Sequence, residues 1–470
     1  RNMKAKITSY IAVLALVVAM AVSAAAFVAA PAQSVVTAHA ADGSMQVHFI
    51  DCGQADACFI DLPDGKNILI DTGHTSSSSW ESVVDYLDGL GVSTIDYMIL
   101  THSDADHIGG ATHILEEYEV KTIYRPAQAC SPESGNEYCT DPAYSLSAAD
   151  GTGFYADPVA YKDKSFKTYS DTISAVYAET YTENGQKKNA TVYVTNPFND
   201  KINCIEGESF DYSLNFYSPI DVTELSDNND FSPIMVLSYA SRDFVLTGDA
   251  EKQNEEDFVR FVRDEAQLGD YGGRYDKFIK SEFTADVIKM GHHGSSTSSG
   301  KDFLEIMTAN AEKRPNIFTI FSCGDGNSYG HPHAETLKRL MDMGFSAERI
   351  ERTDLNGTIV FGVSAEGALA LREERSDVTI EQKLTTGSGN KNRPQETVQD
   401  NNVRPDESID DLPDVAAGTD GDMPDLFDPK SWARNPAEWH PLQWVIVAVI
   451  LVVVVAAIAV AINKAKKKRK

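Results

Sequence analysis

No two cysteines of this chain stand in a CxxC pair: the six lie at Cys52, Cys58, Cys130, Cys139, Cys204 and Cys323. That absence argues against a thiolate zinc site and leaves the cysteines structural or free. Positive charge is also scarce, with 41 Lys and Arg against 70 Asp and Glu and a formal net charge of −29. Such a surface repels polyanions, so broad non-specific DNA binding through a basic face is excluded. A small or metal-engaged anionic group entering one local site is not. Also missing are a Ser-His-Asp order, a phosphate-cradling glycine loop and a nicotinamide fingerprint. Gly291-His292-His293-Gly294-Ser295 lacks the spacing of a nucleophile elbow.

Long apolar runs are confined to the two ends. Lys4 and Lys6 precede an apolar run over 11–28, and Ala38-His39-Ala40 follows. This pattern predicts a secretory signal peptide over 1–40, cut after Ala40, with an uncleaved anchor helix as the alternative. Residues 445–462 are unbroken apolar sequence, with Trp439 and Trp444 at the outer edge and a dense basic tail over 463–470. That reads as one transmembrane helix with its basic tail in the cytoplasm and the globular part outside. Without the three basic residues of the signal and the six of the tail, 32 basic side chains face 70 acidic ones, a charge near −38. In an extracellular setting disulfides persist, and Cys130–Cys139 across a polar loop is the favoured pairing.

Between 45 and 373 strand-like and helix-like segments alternate. Strands are predicted over 45–50, 57–61, 67–70, 96–100 and 121–124, with helices over 80–90 and 110–118. The second half repeats this logic. A hairpin over 234–246 turns around Ser241-Arg242 and runs into Thr247-Gly248-Asp249, and a charged helix over 251–264 follows. Further strands are expected at 286–290, 316–321 and 358–363, with helices at 301–307 and 334–343. Two β-rich halves with interleaved helices predict an α/β fold of face-to-face sheets with helices outside. Residues 126–209 are polar and weakly periodic, and read as an insertion or lid. Residues 374–440 turn Asp-, Pro- and Gly-rich and read as a disordered acidic linker.

The chemistry concentrates in Thr101-His102-Ser103-Asp104-Ala105-Asp106-His107-Ile108-Gly109-Gly110. Four candidate ligands fall at i, i+2, i+4 and i+5 on a loop between a buried strand and a helix. Alternate residues can point to one cation while the adjacent Asp-His pair reaches a second. Gly109-Gly110 would let the chain turn away tightly. So many hard and imidazole donors rarely cluster merely to cap a helix.

With these motifs the chain resembles the metallo-β-lactamase superfamily, whose hallmark is H-x-H-x-D-H with a downstream Asp and further His ligands. It is similar in particular to the extracellular hydrolase domain of DNA-uptake competence proteins (ComEC-like). The matching segments are 48–57, Leu69-Ile70-Asp71-Thr72-Gly73, the His102 loop, Leu246-Thr247-Gly248-Asp249-Ala250, 291–295 and Tyr329-Gly330-His331-Pro332-His333. A similar domain occurs in surface phosphorylcholine esterases. The resemblance implies a four-layer αββα sandwich and two divalent metal ions. His102 and Asp104 would hold one ion, Asp106 and His107 the other, and Asp249 would bridge them. His292 or His293 would complete the shell, the remaining one serving as a proton donor or phosphate contact. The assignment carried forward makes His292 a ligand and His293, with Asp106 and Asp249, catalytic. Asp51, Gln54, Asp56 and Asp71 are expected to support the ligands, and His331 and His333 to be either site residues or a turn.

Two departures stand out. Asp104 replaces the second His of H-x-H, which hardens the site and makes manganese a rival to zinc. The His usually found ahead of the bridging Asp is also missing, with Asp227-Asn228-Asn229-Asp230 in its place. Either an Asn or Asp ligates weakly there, or a later His substitutes. The expected function is extracellular metal-dependent hydrolysis of a small phosphodiester or related ester, envelope-derived or otherwise, by a hydroxide shared between two cations. The alternatives are a ComEC-like nuclease on external DNA, and a non-catalytic surface binding module.

Overall fold

The computed structural model describes residues 43–128, 167–199, 202–222, 225, 227–269, 271–387 and 397–398. The expected signal peptide, the Cys130–Cys139 loop, the transmembrane segment and the basic tail lie outside the described residues. Among the described residues no helix is long and apolar enough to cross a membrane.

Seventeen strands run in chain order through the described residues, and fifteen of them form two large sheets. The first sheet has the order β17-β16-β1-β2-β3-β4-β5-β8. It contains β1 (Met45–Phe49), β2 (Cys58–Asp61), β3 (Asn67–Ile70), β4 (Thr94–Ile99), β5 (Glu119–Arg125), β8 (Thr191–Val194), β16 (Ile359–Val363) and β17 (Leu369–Glu373). The second has the order β15-β14-β13-β12-β11-β10-β9. Its members are β9 (Cys204–Glu206), β10 (Tyr212–Phe216), β11 (Met235–Tyr239), β12 (Arg242–Leu246), β13 (Val287–Lys289), β14 (Phe318–Phe321) and β15 (Ile350–Arg352). Strands β6 (Thr180–Glu183) and β7 (Gln186–Asn189) form a separate hairpin.

Period-two alternation explains the stacking. From β1, Met45, Val47 and Phe49 enter a core shared with Leu237, Phe244 and Leu246 of the second sheet, while the intervening Val236 and Val245 turn to the opposite face. There they meet Phe258, Phe303, Leu337 and Leu340. Those four belong to helices α5 (Lys252–Arg260), α6 (Lys301–Met307) and α7 (Ala334–Met343). Each such large side chain, fully buried, contributes about 1.5–3 kcal/mol. Over the first sheet lies α1 (Ser77–Leu90), which buries Val83, Leu87 and Leu90 and ends on Gly91 in the left-handed region. Helices α2 (Ala105–Ile108) and α3 (Ala111–Glu117) follow β4, and α4 (Lys167–Ala178) precedes β6. Helix, sheet, sheet, helix is the arrangement the sequence predicts.

Three expectations are corrected. The hairpin turns at Ala240-Ser241, both with positive φ, and Arg242 is a strand residue opposite Tyr239. Part of the 126–209 span is built into the first sheet, because β8 pairs in parallel with β5 along Thr122–Arg125. Regular structure continues past 374, where the linker is expected to start. Leu384 is 3% exposed in the core, Lys383 Nζ reaches Glu351 at 2.8 Å, and Thr379 and Gln382 form a capping box. The acidic composition hid these anchors.

The sheets share an orientation that positions the site. Strands β3, β4 and β5 are mutually parallel, as are β12, β13 and β14. Crevices outside the carboxyl ends of such strands are where open α/β sheets bind ligands. Asp71 follows β3, His102 follows β4, Asp249 follows β12 and His292 follows β13.

On the outer face of β1, His48 is fully buried with Nδ1 2.8 Å from the Tyr86 hydroxyl. Burial, and secondarily the charge of Arg372, pushes its pKa down to about 3. The unfolded chain takes up a proton near pH 6.5 that the folded chain refuses. His48 therefore supports folding fully above that pH, and the support is lost progressively as pH falls toward 3. Replacing it by His48→Gln is expected to flatten the acid limb of stability against pH by roughly 1 kcal/mol per pH unit. Urea unfolding of both proteins across that range checks this, and parallel curves would overturn it.

Candidate metal centre

The site starts with a carboxylate in an unusual backbone position. Asp71, immediately past β3, has φ +59, a left-handed conformation that Asp tolerates better than most residues. Its Oδ1 accepts from the Thr101 N–H at 2.9 Å and its Oδ2 from the Thr101 hydroxyl at 2.7 Å, which ties the end of β3 to the end of β4. His107 Nδ1 lies 2.7 Å from the same Oδ2. With Nδ1–H donated there, His107 Nε2 is left facing inward.

Each neighbouring imidazole is held in the same way. His293 Nδ1 is 2.7 Å from the Ser322 carbonyl, and His102 Nδ1 is 3.1 Å from the Ser232 hydroxyl. The Nε2 atoms of His102, His107 and His293 are buried and make no well-aligned hydrogen bond. They converge on carboxylates instead. His107 Nε2 lies 3.2 Å and His293 Nε2 3.3 Å from Asp249 Oδ2, and His293 Nε2 lies 3.3 Å from Asp106 Oδ2. Zinc bonded to N and O at about 2.0–2.1 Å in a tetrahedron would set ligand edges of about 3.3 Å. The ligand atoms of Asp56, His107, Asp249 and His293 all lie within 4.8 Å of one another and fit a divalent cation, with Asp106 at the edge of the group, 3.3 Å from His293 Nε2. Beside them, His102 Nε2 is 4.0 Å from Asp104 Oδ2.

The electrostatics point the same way. Burial opposes a charge on His107, but the Asp249 and Asp71 carboxylates outweigh it and raise its pKa. Burial likewise opposes charge on His293, and Asp249, Asp56 and Asp106 raise its pKa. Burial would raise the Asp249 pKa, but the facing imidazoles hold it well below the usual carboxylate range. His102 is pushed down to about 3 by burial and then by His107. Metal ligands must be deprotonated, so a cation binding there would displace protons. Above lies a cleft of about 680 Å³ lined in part by Gln54, Asp104, Asp106, Asn228 and Tyr329.

Residues 50–168 match the family model of the metallo-beta-lactamase superfamily. The chain carries a metallo-β-lactamase domain. Among curated proteins it is 26% identical over 331 residues to ComE operon protein 3 of Bacillus subtilis, covering 67% of this chain and 33% of that protein. It is also 26% identical over 302 residues to Recombination protein 2 of Haemophilus influenzae, covering 63% and 26%. Competence protein ComA of Neisseria gonorrhoeae is 23% identical over 324 residues, covering 68% and 33%. The chain thus spans a third or less of these relatives' length. Among solved structures, the metallo-β-lactamase fold protein YhfI of Bacillus subtilis aligns at 12% identity with a TM-score of 0.32, covering 69% of this chain and 99% of that one.

The two adjacent histidines lie at different depths in this site. His293 is 1% exposed and presents Nε2 to Asp106 and Asp249. His292 is more open, its Nε2 3.8 Å from Asp249 Oδ2 and its Nδ1 2.6 Å from Glu251 Oε1. Both sit at positive φ, +49 and +55, which swings the two rings into the site. Local spacing could not decide between them, because the choice lies in this backbone turn.

Other expected residues divide. Asp56 joins the centre, its ligand oxygen within 4.8 Å of those of His107, Asp249 and His293. Gln54 links Gly324 N–H to His331 Nδ1, and the His331 ring packs 5.4 Å from His292 and 5.9 Å from His293. His333 is a turn residue: Nδ1 accepts from Ser296 N–H and Nε2 faces the Tyr329 carbonyl at 3.1 Å. Asp51 is not brought to the centre. Its backbone N–H donates to Thr358 and its carboxylate faces Gly53 N–H and Arg375.

The sequence reading missed Lys289, Glu251 and Ser232. Lys289 is 5% exposed, with Nζ 2.5 Å from Asp56 Oδ2, 3.0 Å from the Gly248 carbonyl and 3.9 Å from Asp249 Oδ1. A lysine in the otherwise apolar run Val287-Ile288-Lys289-Met290 was the available signal, since lysine is almost never buried unpaired. Gly109 and Gly110 also act differently from expectation. Gly109 has an ordinary helical φ of −61, and a Cβ there would lie 2.1 Å from the Ala105 carbonyl and 2.2 Å from Thr75 N. Close approach, and not a tight turn, demands glycine.

Two outcomes follow for metal binding. Asp71→Asn is expected to weaken zinc binding roughly 10–100-fold by releasing the His107 ring, read by calorimetric titration; unchanged affinity would contradict the role given to Asp71. Gly109→Ala is expected to destabilise the fold by about 1–3 kcal/mol through overpacking, read by urea unfolding of the metal-free protein; an unshifted midpoint would count against the close approach.

Proposed function

We propose that the chain is a metal-dependent hydrolase acting on phosphodiesters or related esters. The observation that carries this reading is the convergence of Asp56, His107, Asp249 and His293, whose ligand atoms lie within 4.8 Å of one another, with Asp106 3.3 Å from His293 at the cleft. Asp104 and His102 stand beside them as the nucleus of a second cation position. Divalent cations bound at the two positions would supply Lewis acidity to an ester oxygen and lower the pKa of a water molecule. The donor set is rich in carboxylates, which suits zinc or manganese facing phosphate oxygens.

The chain's own groups have distinct parts in this reading. Asp106 lines the cleft and would orient a water molecule there. Asp249 Oδ2 is shared among three imidazoles, and Lys289 near its other oxygen steadies that carboxylate. His331, buried beside His292 and His293, closes the wall and limits access of bulk water. The predicted signal peptide and apolar C-terminal segment support an extracellular domain anchored by a single span, with the basic tail in the cytoplasm.

A second reading is a nuclease acting on external DNA, favoured by relatives whose names refer to competence and recombination. The net charge of −29 weighs against general attraction of DNA. A non-catalytic binding module is the third reading, and bound metal separates it from the other two.

The purified protein, supplied with zinc or manganese, is expected to hydrolyse bis-p-nitrophenyl phosphate. Asp106→Ala and Asp249→Ala are each expected to lower turnover by roughly 100-fold or more while circular dichroism stays unchanged. Linear DNA and phosphorylcholine esters assayed in parallel discriminate the enzyme readings. Cleavage of a β-lactam alone, or undiminished turnover in both variants, would refute the phosphoester hydrolase.

A further inference from the structure

Beyond β17 the chain does not leave the domain at once. One turn of helix over Ile380–Lys383 opens with the Thr379–Gln382 capping box and lies against β15. Lys383 Nζ reaches Glu351 Oε2 at 2.8 Å, and the two side chains are only 10% and 2% exposed. Arg352, equally buried, grips Asp354 with Nε at 3.0 Å and Nη2 at 2.6 Å. Its Nη1 donates to the carbonyls of Gln382, Lys383 and Thr385. Leu384 joins the core that holds Leu337, Leu340 and Ile350, and its carbonyl accepts from the Val398 N–H at 2.9 Å. Lifting this segment would strand the buried Glu351 carboxylate and open the core, so it is firmly held.

The segment ends against the wall of the cleft. Asn327 closes the loop over 324–333 on itself. Its Nδ2 donates to the carbonyls of Gly324 at 2.9 Å and His331 at 2.8 Å. Its Oδ1 accepts from the N–H groups of Gly330 at 2.8 Å and His331 at 2.9 Å. Gln54, between β1 and β2, ties down the same loop, Oε1 accepting from the Gly324 N–H and Nε2 facing His331 Nδ1 at 3.3 Å. Gly387 closes in from a third side. A Cβ there would lie 2.1 Å from the His331 carbonyl oxygen and 2.7 Å from Asn327 Nδ2, the two atoms of one loop-closing hydrogen bond. Tyr329 in this loop is 58% exposed, lines the cleft and stacks on the His331 ring at 5.6 Å and 18°.

We propose that Thr379–Gly387 is a strap that positions the cleft wall, setting where Tyr329 and His331 stand beside the metal group. The strap acts through another element. Gly387 presses on the backbone and amide groups of the loop, and the loop carries the two rings. His331 in turn packs 5.4 Å from His292 and 5.9 Å from His293, so a shift of the loop reaches the edge of the metal group. Any side chain at position 387 must push the loop or lift the strap, which is why glycine stands there. Of the two, the loop yields. It is held by single hydrogen bonds, whereas the strap is held by a buried ion pair, a buried guanidinium and an apolar anchor. A wall fixed from outside the ligand set adjusts the fit of a substrate without altering the ligands themselves. The consequence for substrate rests on the hydrolase reading, and the consequence for the loop does not.

The test reads the loop directly. Amide hydrogen exchange of the full-length protein is followed by mass spectrometry on peptides covering 324–333, with peptides covering β13 and β14 as the reference. Gly387→Ala and Leu384→Ala are each expected to speed exchange over 324–333 by roughly 10-fold or more, while the reference strands keep their wild-type rates. Glu381→Ala, at an exposed strap position, is expected to exchange as wild type. With zinc or manganese supplied, Gly387→Ala is expected to raise KM for bis-p-nitrophenyl phosphate by roughly 3–10-fold and to change kcat less. Unchanged exchange over 324–333 in both Gly387→Ala and Leu384→Ala overturns the strap's role. Acceleration spread equally over β13 and β14, or an unaltered KM in Gly387→Ala, does the same. Wild type that turns over no phosphodiester instead refutes the hydrolase reading, and loop exchange then decides the strap.

Discussion

Buried negative charge is the constraint around which this domain is arranged. Asp56, Asp71 and Asp249 are all nearly inaccessible, and Asp106 stands at their edge. Carboxylates removed from water repel one another and resist burial unless they are paired or coordinate a cation. The protein answers with three devices. Asp71 is satisfied by hydrogen bonds from Thr101 and His107. Asp56 is paired with Lys289. Asp249 is faced by imidazoles on several sides. What remains is an inward-facing group of nitrogens and oxygens suited to divalent cations.

Holding that group in place requires both sheets. The first sheet delivers Asp71 and the His102 loop, and the second delivers Asp249, Lys289 and the histidine pair. The shared core of Phe49, Phe244, Phe361 and their neighbours holds the two sheets in register, so their carboxyl ends open on one crevice. Local cost is accepted at the rim: positive φ at Asp71, His292 and His293, and a loop packed so closely that Gly109 cannot carry a side chain. A well-packed core can sustain such strain, because relaxing it would mean moving a whole sheet. The same logic gives Lys289 its place. A lysine on an interior strand of a buried sheet is tolerated only where carboxylates wait at its tip.

Much of this was legible in the chain itself. Alternation in Met45–Phe49 and the runs in β11 to β14 located the strands, and the spacing His102, Asp104, Asp106, His107 located the chemistry. Legibility failed where the determining contact was distant in sequence. The polar character of 167–199 concealed that Thr191–Val194 extends the first sheet, because edge strands are recognised by their partner and not by their composition. Asp51 looked like its neighbours in the 48–57 motif, yet its side chain faces Arg375 across the fold. Leu384 is a single anchor in an acidic stretch, too sparse a signal to mark order.

The sequence alone located the cluster of candidate metal donors, since four donors within six residues present a local pattern that needs no tertiary information to read. It also determined the layering, which follows from apolar periodicity. Only the tertiary structure decided which of two adjacent histidines faces Asp106, that Lys289 balances Asp56, and that Glu251 grips His292. Those choices depend on backbone turns and on side chains meeting from strands tens to hundreds of residues apart. Such distances and orientations exist only once the two sheets have closed on each other.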